Sequence, residues 1–223
     1  MSQLFIDLGN TAVKWLFNGG YQFALTHNFN INLLPQADEI FVSCVGDSSL
    51  LNTLPNTIFV SSEAEFNGFV SAYKNPEALG VDRFLAMIGA INQYPNEDLL
   101  IIDAGSALTF DLVLSGKHQG GLIAPGLGKL RTSFDQFSSN SQHIMLTKLA
   151  DNTESAWEFG TAEMLMNMVN TQIERQLDCF ADLKIILTGG DAKMIALRLN
   201  HLVEIQPNLV LDGLAIYAQT YKA

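Results

Sequence analysis

Short apolar runs broken by small polar turns dominate the first half of the chain. Leu4-Phe5-Ile6 and Ala12–Phe17 flank Asp7-Leu8-Gly9-Asn10-Thr11, which predicts two strands joined by a hairpin through Gly-Asn. Asn18-Gly19-Gly20 gives a second turn, followed by an extended segment over residues 21–29. Residues 39–44 and 57–60 read as short buried strands. A helix opens near Gly80, with Phe84, Leu85, Ile88 and Ile91 at helical spacing, and stops by Tyr94-Pro95.

The pattern then starts again. Leu99-Leu100-Ile101-Ile102 runs into Asp103-Ala104-Gly105-Ser106, residues 109–114 supply a return strand, and 118–123 a third arm. Residues 154–180 carry a long helical pattern with Ala162, Leu165, Val169, Ile173 and Leu177 on one face. Residues 184–187 form a strand ending in Thr188-Gly189-Gly190-Asp191, and 192–199 return to helix. Two units, each opening on a hairpin with Asp-x-Gly, thus begin about 96 residues apart. The expectation is a duplicated α/β core with mixed sheets, divided into residues 1–96 and 97–223.

Charge and composition narrow the chemistry. A chain of 223 residues, 48% hydrophobic and 16% charged, supports a real core rather than disorder. Its net charge of −11 argues against nucleic acid as a partner, since a phosphate backbone demands clustered Lys and Arg. Anions must instead be held locally, by backbone amides and a few placed cations. Cys44 and Cys179 lie far apart, which fits a reducing compartment. The start Met-Ser-Gln-Leu-Phe-Ile-Asp lacks a signal-peptide pattern, and no apolar run is long enough for a bilayer, so a cytoplasmic protein with no membrane partner is expected.

The opening hairpin presents successive N–H groups, with Gly9 allowing close backbone approach to a phosphate. Asp7 can hold a phosphate-bound Mg²⁺, and Lys14 on the returning strand can reach the same phosphates. The plain alternative is a turn that Asp7 merely caps. Asp103, at the end of four consecutive aliphatic residues, repeats the arrangement, with Ser106 and Thr109 offering hydroxyls. Two acids on duplicated hairpins invite a cation and phosphates, although turn capping stays open here too. Asp82 and Arg83 fall in the first turn of the helix after Gly80, where Asp suits the helix dipole. Asp82 can equally act as the base for a hydroxyl attacking a γ-phosphate, with Arg83 gripping a carboxylate or amide. Gly120-Gly121-Leu122-Ile123-Ala124-Pro125-Gly126 and Thr188-Gly189-Gly190 are Gly-rich turns that read either as punctuation or as nucleotide contacts. There is no Gly-x-x-x-x-Gly-Lys-Ser/Thr and no Gly-x-Gly-x-x-Gly. The four histidines, at 27, 118, 143 and 201, lack metal-ligand spacing and read as surface or loop residues.

Taken in order, Asp7-x-Gly9-Asn10-Thr11-x-x-Lys14, Gly80-x-Asp82-Arg83, Asp103-x-Gly105, Gly120-Gly121-x-Ile123-x-Pro125-Gly126, Phe159-Gly160-Thr161 and Thr188-Gly189-Gly190 resemble the type III pantothenate kinases of the acetate/sugar kinase–actin superfamily. The resemblance covers nearly the whole chain. It implies duplicated ribonuclease-H-like, actin-like domains, each a mixed five-stranded sheet flanked by helices. It also implies ATP-dependent phosphorylation of pantothenate to 4'-phosphopantothenate, the first step toward coenzyme A. On that resemblance Asp7, Leu8, Gly9, Asn10, Thr11, Ala12, Val13 and Lys14 form the first phosphate-binding segment, and Ser106 touches ATP. Asp82 accepts the proton of the pantothenate hydroxyl. Tyr73, Gly80, Val81, Asp82, Arg83 and Thr161 bind pantothenate, and a homodimer completes that site. Asp103 sits at a site for K⁺ or NH₄⁺, alongside ATP with Mg²⁺. Two other readings on the same scaffold are a regulatory accessory factor and a kinase for another small hydroxylated substrate. Ser106 stands where the family usually has Thr, with Leu108 two positions on, which puts ATP affinity rather than activity in question. The chain is also somewhat short for the family, with trimmed loops expected between residues 18 and 70.

Overall fold

The computed structural model describes residues 1–144 and 149–221. Its strands are β1 (Gln3–Leu8), β2 (Ala12–Phe17), β3 (Gly20–Leu25), β4 (Glu39–Cys44), β5 (Thr57–Phe59), β6 (Glu65–Phe66), β7 (Phe69–Val70), β8 (Leu99–Ala104), β9 (Ala107–Leu114), β10 (Lys117–Pro125), β11 (Lys184–Thr188) and β12 (Glu204–Ile205). Its α-helices are α1 (Val81–Gln93), α2 (Leu127–Arg131), α3 (Thr153–Cys179), α4 (Ala192–Ala196) and α5 (Leu209–Thr220). The described residues divide into two compact units, one of 1–96, 113–120 and 208–221, the other of 97–112, 121–144 and 149–207.

In the first unit the strand order is β3-β2-β1-β4-β5. β1, β2 and β3 form an antiparallel meander, and β4 joins β1 in parallel, with β5 parallel beyond it. Alternation along β1 buries both of its faces. Leu4, Ile6 and Leu8 pack with Val13, Trp15, Ile40, Val42 and Leu51 on one side. Phe5 stacks on Phe41 at 6.0 Å on the other, and Tyr221 meets Phe41 edge-on at 5.8 Å. The helices α1 and α5 lie against each other so closely that a Cβ on Gly213 would overlap the Leu85 carbonyl oxygen. Phe84, Leu85, Met87, Leu209, Leu211 and Leu214 are all buried, each contributing on the order of 2 kcal/mol by removal from water.

The second unit repeats the order: read from β10, its strands run β10-β9-β8-β11-β12, again with the fourth and fifth parallel to the first. The duplicated ribonuclease-H-like, actin-like topology expected from the sequence is therefore present. Asn152 caps α3 by accepting the Ser155 N–H at 2.9 Å, and Ala162, Leu165, Val169 and Ile173 form its buried stripe, with Leu177 half-buried.

Several elements differ from expectation. β3 ends at Leu25 rather than running to residue 29. The Thr26 N–H instead donates to the Thr11 carbonyl at 2.9 Å, and a 3₁₀ turn follows over Thr26–Asn28. The second sheet has seven strands rather than five, because the hairpin β6–β7 adds beyond β10 through the pairing of Val70 with Lys117. Asn67 and Gly68 turn that hairpin with φ of 44° and 88°. Helix α5 has no counterpart in the periodicity reading, since its sequence is apolar around most of its circumference. Among the described residues no helix is long and apolar enough to cross a membrane.

Candidate active site

β1 ends at the first acidic turn. Leu8 and Val13 face the core and fix the hairpin from below, leaving Gly9, Asn10 and Thr11 to form the loop. The Gly9 N–H closes it on the Ala12 carbonyl at 3.0 Å. Asp7 pairs across the ladder with Lys14 on one side and with Ser43 on the other. The buried Ser43 hydroxyl donates to Asp7 Oδ1 at 3.1 Å. Burial pushes the Asp7 carboxyl up to about 6; Lys14 and the Ser43 hydroxyl pull it down, and the charge of Asp82 adds to the rise. The first unit therefore brings Asp7, Lys14 and Asp82 into electrostatic reach of one another.

Asp82 and Arg83 occupy the first turn of α1, with Gly80 as the N-cap residue. The Arg83 N–H donates to Asp82 Oδ1 at 2.8 Å, and a Cβ on Gly80 would lie 2.7 Å from that same oxygen. Arg83 is buried to 5% exposure, and its Nη1 donates to the Tyr73 hydroxyl at 3.0 Å. Tyr73 in turn stacks on His118 at 5.9 Å with 10° between the rings. His118 is thus not the surface or loop residue expected: at 3% exposure it points inward from β10, between exposed Lys117 and Gln119.

The second acidic turn has the same frame. The Gly105 N–H donates to the Ala107 carbonyl at 2.9 Å, and Thr188 lies opposite Asp103 as Ser43 lies opposite Asp7. Two glycine-rich segments press on it. The Gly126 N–H donates to the Ser106 carbonyl at 3.0 Å, and a Cβ there would overlap the Gly105 carbonyl. Gly189 has a φ of +91°, and a Cβ on it would overlap both the Ala104 carbonyl and Asp103 Oδ1. The Pro125-Gly126 and Thr188-Gly189-Gly190 motifs are therefore the walls of the second turn rather than punctuation.

Thr161 lies on the buried side of α3. Its hydroxyl donates within the helix to the Trp157 or Glu158 carbonyl, at 2.8 and 3.1 Å, and accepts from Arg131 Nε at 3.3 Å. Arg131, fully buried, also donates to the carbonyls of Ser141, His143 and Glu158. Burial lowers its pKa, while Glu158 and Asp191 oppose that.

Three residues that sequence reasoning passed over thus belong to this description: Ser43, His118 and Arg131. The signal for Ser43 was available. Ile40-Phe41-Val42-Ser43 and Ile185-Ile186-Leu187-Thr188 are both apolar runs ending in a hydroxyl, shortly before a glycine. Among the described residues no group of three or more His, Cys, Asp and Glu could hold a metal, so any cation here relies on phosphate, carbonyl and single carboxylate oxygens.

Comparison with known proteins places this geometry. A protein of Campylobacter jejuni, named as a Baf-family transcriptional activator, shares the fold with a TM-score of 0.66 at 23% identity, over 98% of each chain. Component A of (R)-2-hydroxyglutaryl-CoA dehydratase from Acidaminococcus fermentans aligns over 99% of this chain and 98% of its own, with a TM-score of 0.55 and 11% identity. The type III pantothenate kinase of Colwellia psychrerythraea is 32% identical over 96% of this chain and 99% of its own length. That of Alcanivorax borkumensis is 33% identical over 95% and 96%. The family profile described as type III pantothenate kinase matches residues 48–175, a span holding Tyr73, Gly80-x-Asp82-Arg83, Asp103 and Thr161. With more than half of its length matched by that profile and relatives above 30% identity end to end, this chain belongs to the type III pantothenate kinase family.

Proposed function

We propose that this protein is an ATP-dependent kinase that phosphorylates pantothenate to 4'-phosphopantothenate, the first step of coenzyme A synthesis. The observation that carries the reading is the grouping within the first unit of the Asp7 hairpin with Lys14, the N-terminal turn of α1 with Asp82, and the Tyr73–Arg83 pair. The loop amides of Gly9, Asn10 and Thr11, with Lys14, suit phosphate; Arg83 suits the carboxylate of a small acid.

In this reading the substrate hydroxyl attacks the γ-phosphorus, the bond to the β-phosphate oxygen breaks, and that electron pair leaves with ADP. The hydroxyl proton passes to Asp82, a transfer that a positioned carboxylate speeds by about 10²–10⁴-fold. Magnesium bound with ATP neutralises charge on the phosphates, and Asp7, with an all-oxygen setting, fits a hard cation. Asp103 would hold K⁺ or NH₄⁺, with the carbonyls of Ala104 and Gly105 beside it as the kind of oxygen donors such ions take. Ser106 is assigned to ATP. Thr161 is assigned to pantothenate, in a site completed by a homodimer, on the strength of its Phe-Gly-Thr motif.

The test is direct. Asp82→Asn should leave the far-ultraviolet spectrum unchanged and lower formation of 4'-phosphopantothenate, read by mass, by about a thousandfold. Near-normal turnover would remove Asp82 as the base.

A further inference from the structure

We infer that His118 is a positioning residue for the substrate's carboxylate end, acting through Tyr73 on Arg83; this rests on the pantothenate kinase reading above. The juxtaposition is a closed circuit of side chains. Arg83 and Phe84 are neighbours at the start of α1. Phe84 meets Phe69 of β7 edge-on at 5.4 Å, and Phe69 packs on the His118 ring at 6.3 Å. His118 stacks nearly parallel on Tyr73, and the Tyr73 hydroxyl accepts from Arg83 Nη1, returning to α1.

The circuit matters because Tyr73 lies in irregular chain. Between β7 and α1 the backbone has only a short 3₁₀ turn at Pro76–Ala78, and such a segment holds a side chain in place only at the expense of its entropy. Two local contacts help: Ser71 N–H donates to the Ala64 carbonyl at 2.8 Å, and Tyr73 N–H to Ser71 Oγ at 3.1 Å. Neither fixes the ring. His118 does, because it comes from the regular ladder of β10 and is itself buttressed by buried Phe69. An arginine held through one hydroxyl and one ring face, its centre 5.8 Å from the Tyr73 centroid, presents its remaining donors in a fixed direction. A flat, buried, stacking ring at position 118 is what the circuit requires; its ring nitrogens are not.

Three variants of the full-length protein test this by steady-state kinetics and by calorimetric titration with pantothenate. His118→Ala removes the stack, and it should raise the pantothenate KM and Kd about tenfold while kcat and the ATP KM stay within about twofold. His118→Phe restores a flat ring and should return both constants to within about twofold of the parent. Tyr73→Phe keeps the stack but cuts the link to Arg83, and it should raise the same constants about tenfold. Combined with His118→Ala it should add little, because the two act through one path. Independent, multiplying losses in the double variant would overturn the inference, as would His118→Phe failing to restore binding or His118→Ala lowering kcat and leaving KM alone. Should His118→Ala fail to fold, the Phe variants alone decide it: unchanged pantothenate binding in Tyr73→Phe overturns the path. A parent protein that turns over no pantothenate would instead sink the kinase reading itself.

Discussion

The two acidic hairpins share a backbone and differ in what surrounds their carboxylates. In each, a residue just past the third strand donates its N–H to the turn: Thr26 to the Thr11 carbonyl, Gly126 to the Ser106 carbonyl. In each, a residue just past the fourth strand donates to the carbonyl after the acid, Gly46 to Leu8 and Asp191 to Ala104. In each, a hydroxyl residue sits opposite the acid in the parallel neighbour. The first turn then adds a lysine across the ladder and keeps a three-residue loop with exposed Asn10 and Thr11. The second is shorter, and Gly126 and Gly189 crowd it. Duplication supplied one frame; the side chains made one hairpin an anion grip with its own cation and the other a tightly walled turn made mainly of carbonyl oxygens.

Replacing the two acids should separate these roles most sharply. Asp7→Asn is expected to lower kcat/KM by about a thousandfold, and Asp103→Asn by about ten- to a hundredfold while abolishing the activation by K⁺ over Na⁺. Initial rates in each salt give both numbers. The same Asp7 change should stabilise the free protein. Because burial raises this carboxyl from 3.8 to about 6, the folded state binds its proton more tightly than the unfolded chain. Stability is therefore lost as pH rises between those values, and above about 6 the ionised group costs about 3 kcal/mol. Asp7→Asn should show no advantage near pH 4 and its full advantage near pH 7.5, as read by urea midpoints. An equal effect at both pH values would mean that Asp7 is not held against its ionised form.

The glycines beside each turn provide a second contrast. Gly189→Ala combines a positive φ with overlap on Asp103 and Ala104, and should cost about 3 kcal/mol or more. A Cβ on Gly46 would stand 2.8 Å from the Gly9 carbonyl without adverse φ, so Gly46→Ala should cost about 1–2 kcal/mol. Equal losses in a denaturant titration would break the claim that the second turn is the more tightly enclosed.

Which parts of this were legible from the chain follows from how local each signal is. Hairpins and strand ends depend on neighbours in sequence, so β1, β2, β4, β8 and α1 were readable to within a residue or two. The Ser43–Asp7 pair depends on the parallel register of β1 with β4, which no local pattern fixes. His118 was hidden by its residue type, although the strand alternation Lys117-His118-Gln119 already put it on the inner face. Asn67-Gly68 between Phe66 and Phe69 is a strong short-range turn signal that periodicity over longer windows overlooks. The roles of Tyr73, Thr161 and Asp103 came from motif resemblance, because neither spacing nor burial assigns a ligand.

Ser43 gives a smaller and more specific effect. Its hydroxyl donates to an ionised carboxylate, an interaction worth about 1.5–3 kcal/mol. Ser43→Ala should lower kcat/KM about tenfold and move the pH window of Asp7 upward, since one of the two contacts that favour its charge is gone. Stability measured from pH 5 to 8 should then keep falling at pH values where the parent has levelled. A window unchanged by the substitution would mean that Lys14 alone sets this carboxylate.

The smallest change expected is at the turn itself. Ser106 is half-buried, and its carbonyl is engaged by Gly126, so the backbone of the second turn does not depend on which hydroxyl residue stands there. Ser106→Thr adds a methyl that limits χ1 and removes some rotamer freedom lost on binding, an effect of a few tenths of a kcal/mol. It should tighten the ATP KM by no more than about threefold and leave kcat unchanged. Thr at the exposed position 11 in the first hairpin already has that stiffness without a wall beside it, so Thr11→Ser should be silent. A large loss of kcat in Ser106→Thr would mean that the methyl strikes the wall built by Gly126, making enclosure of the second turn the determinant of catalysis there rather than its hydroxyl.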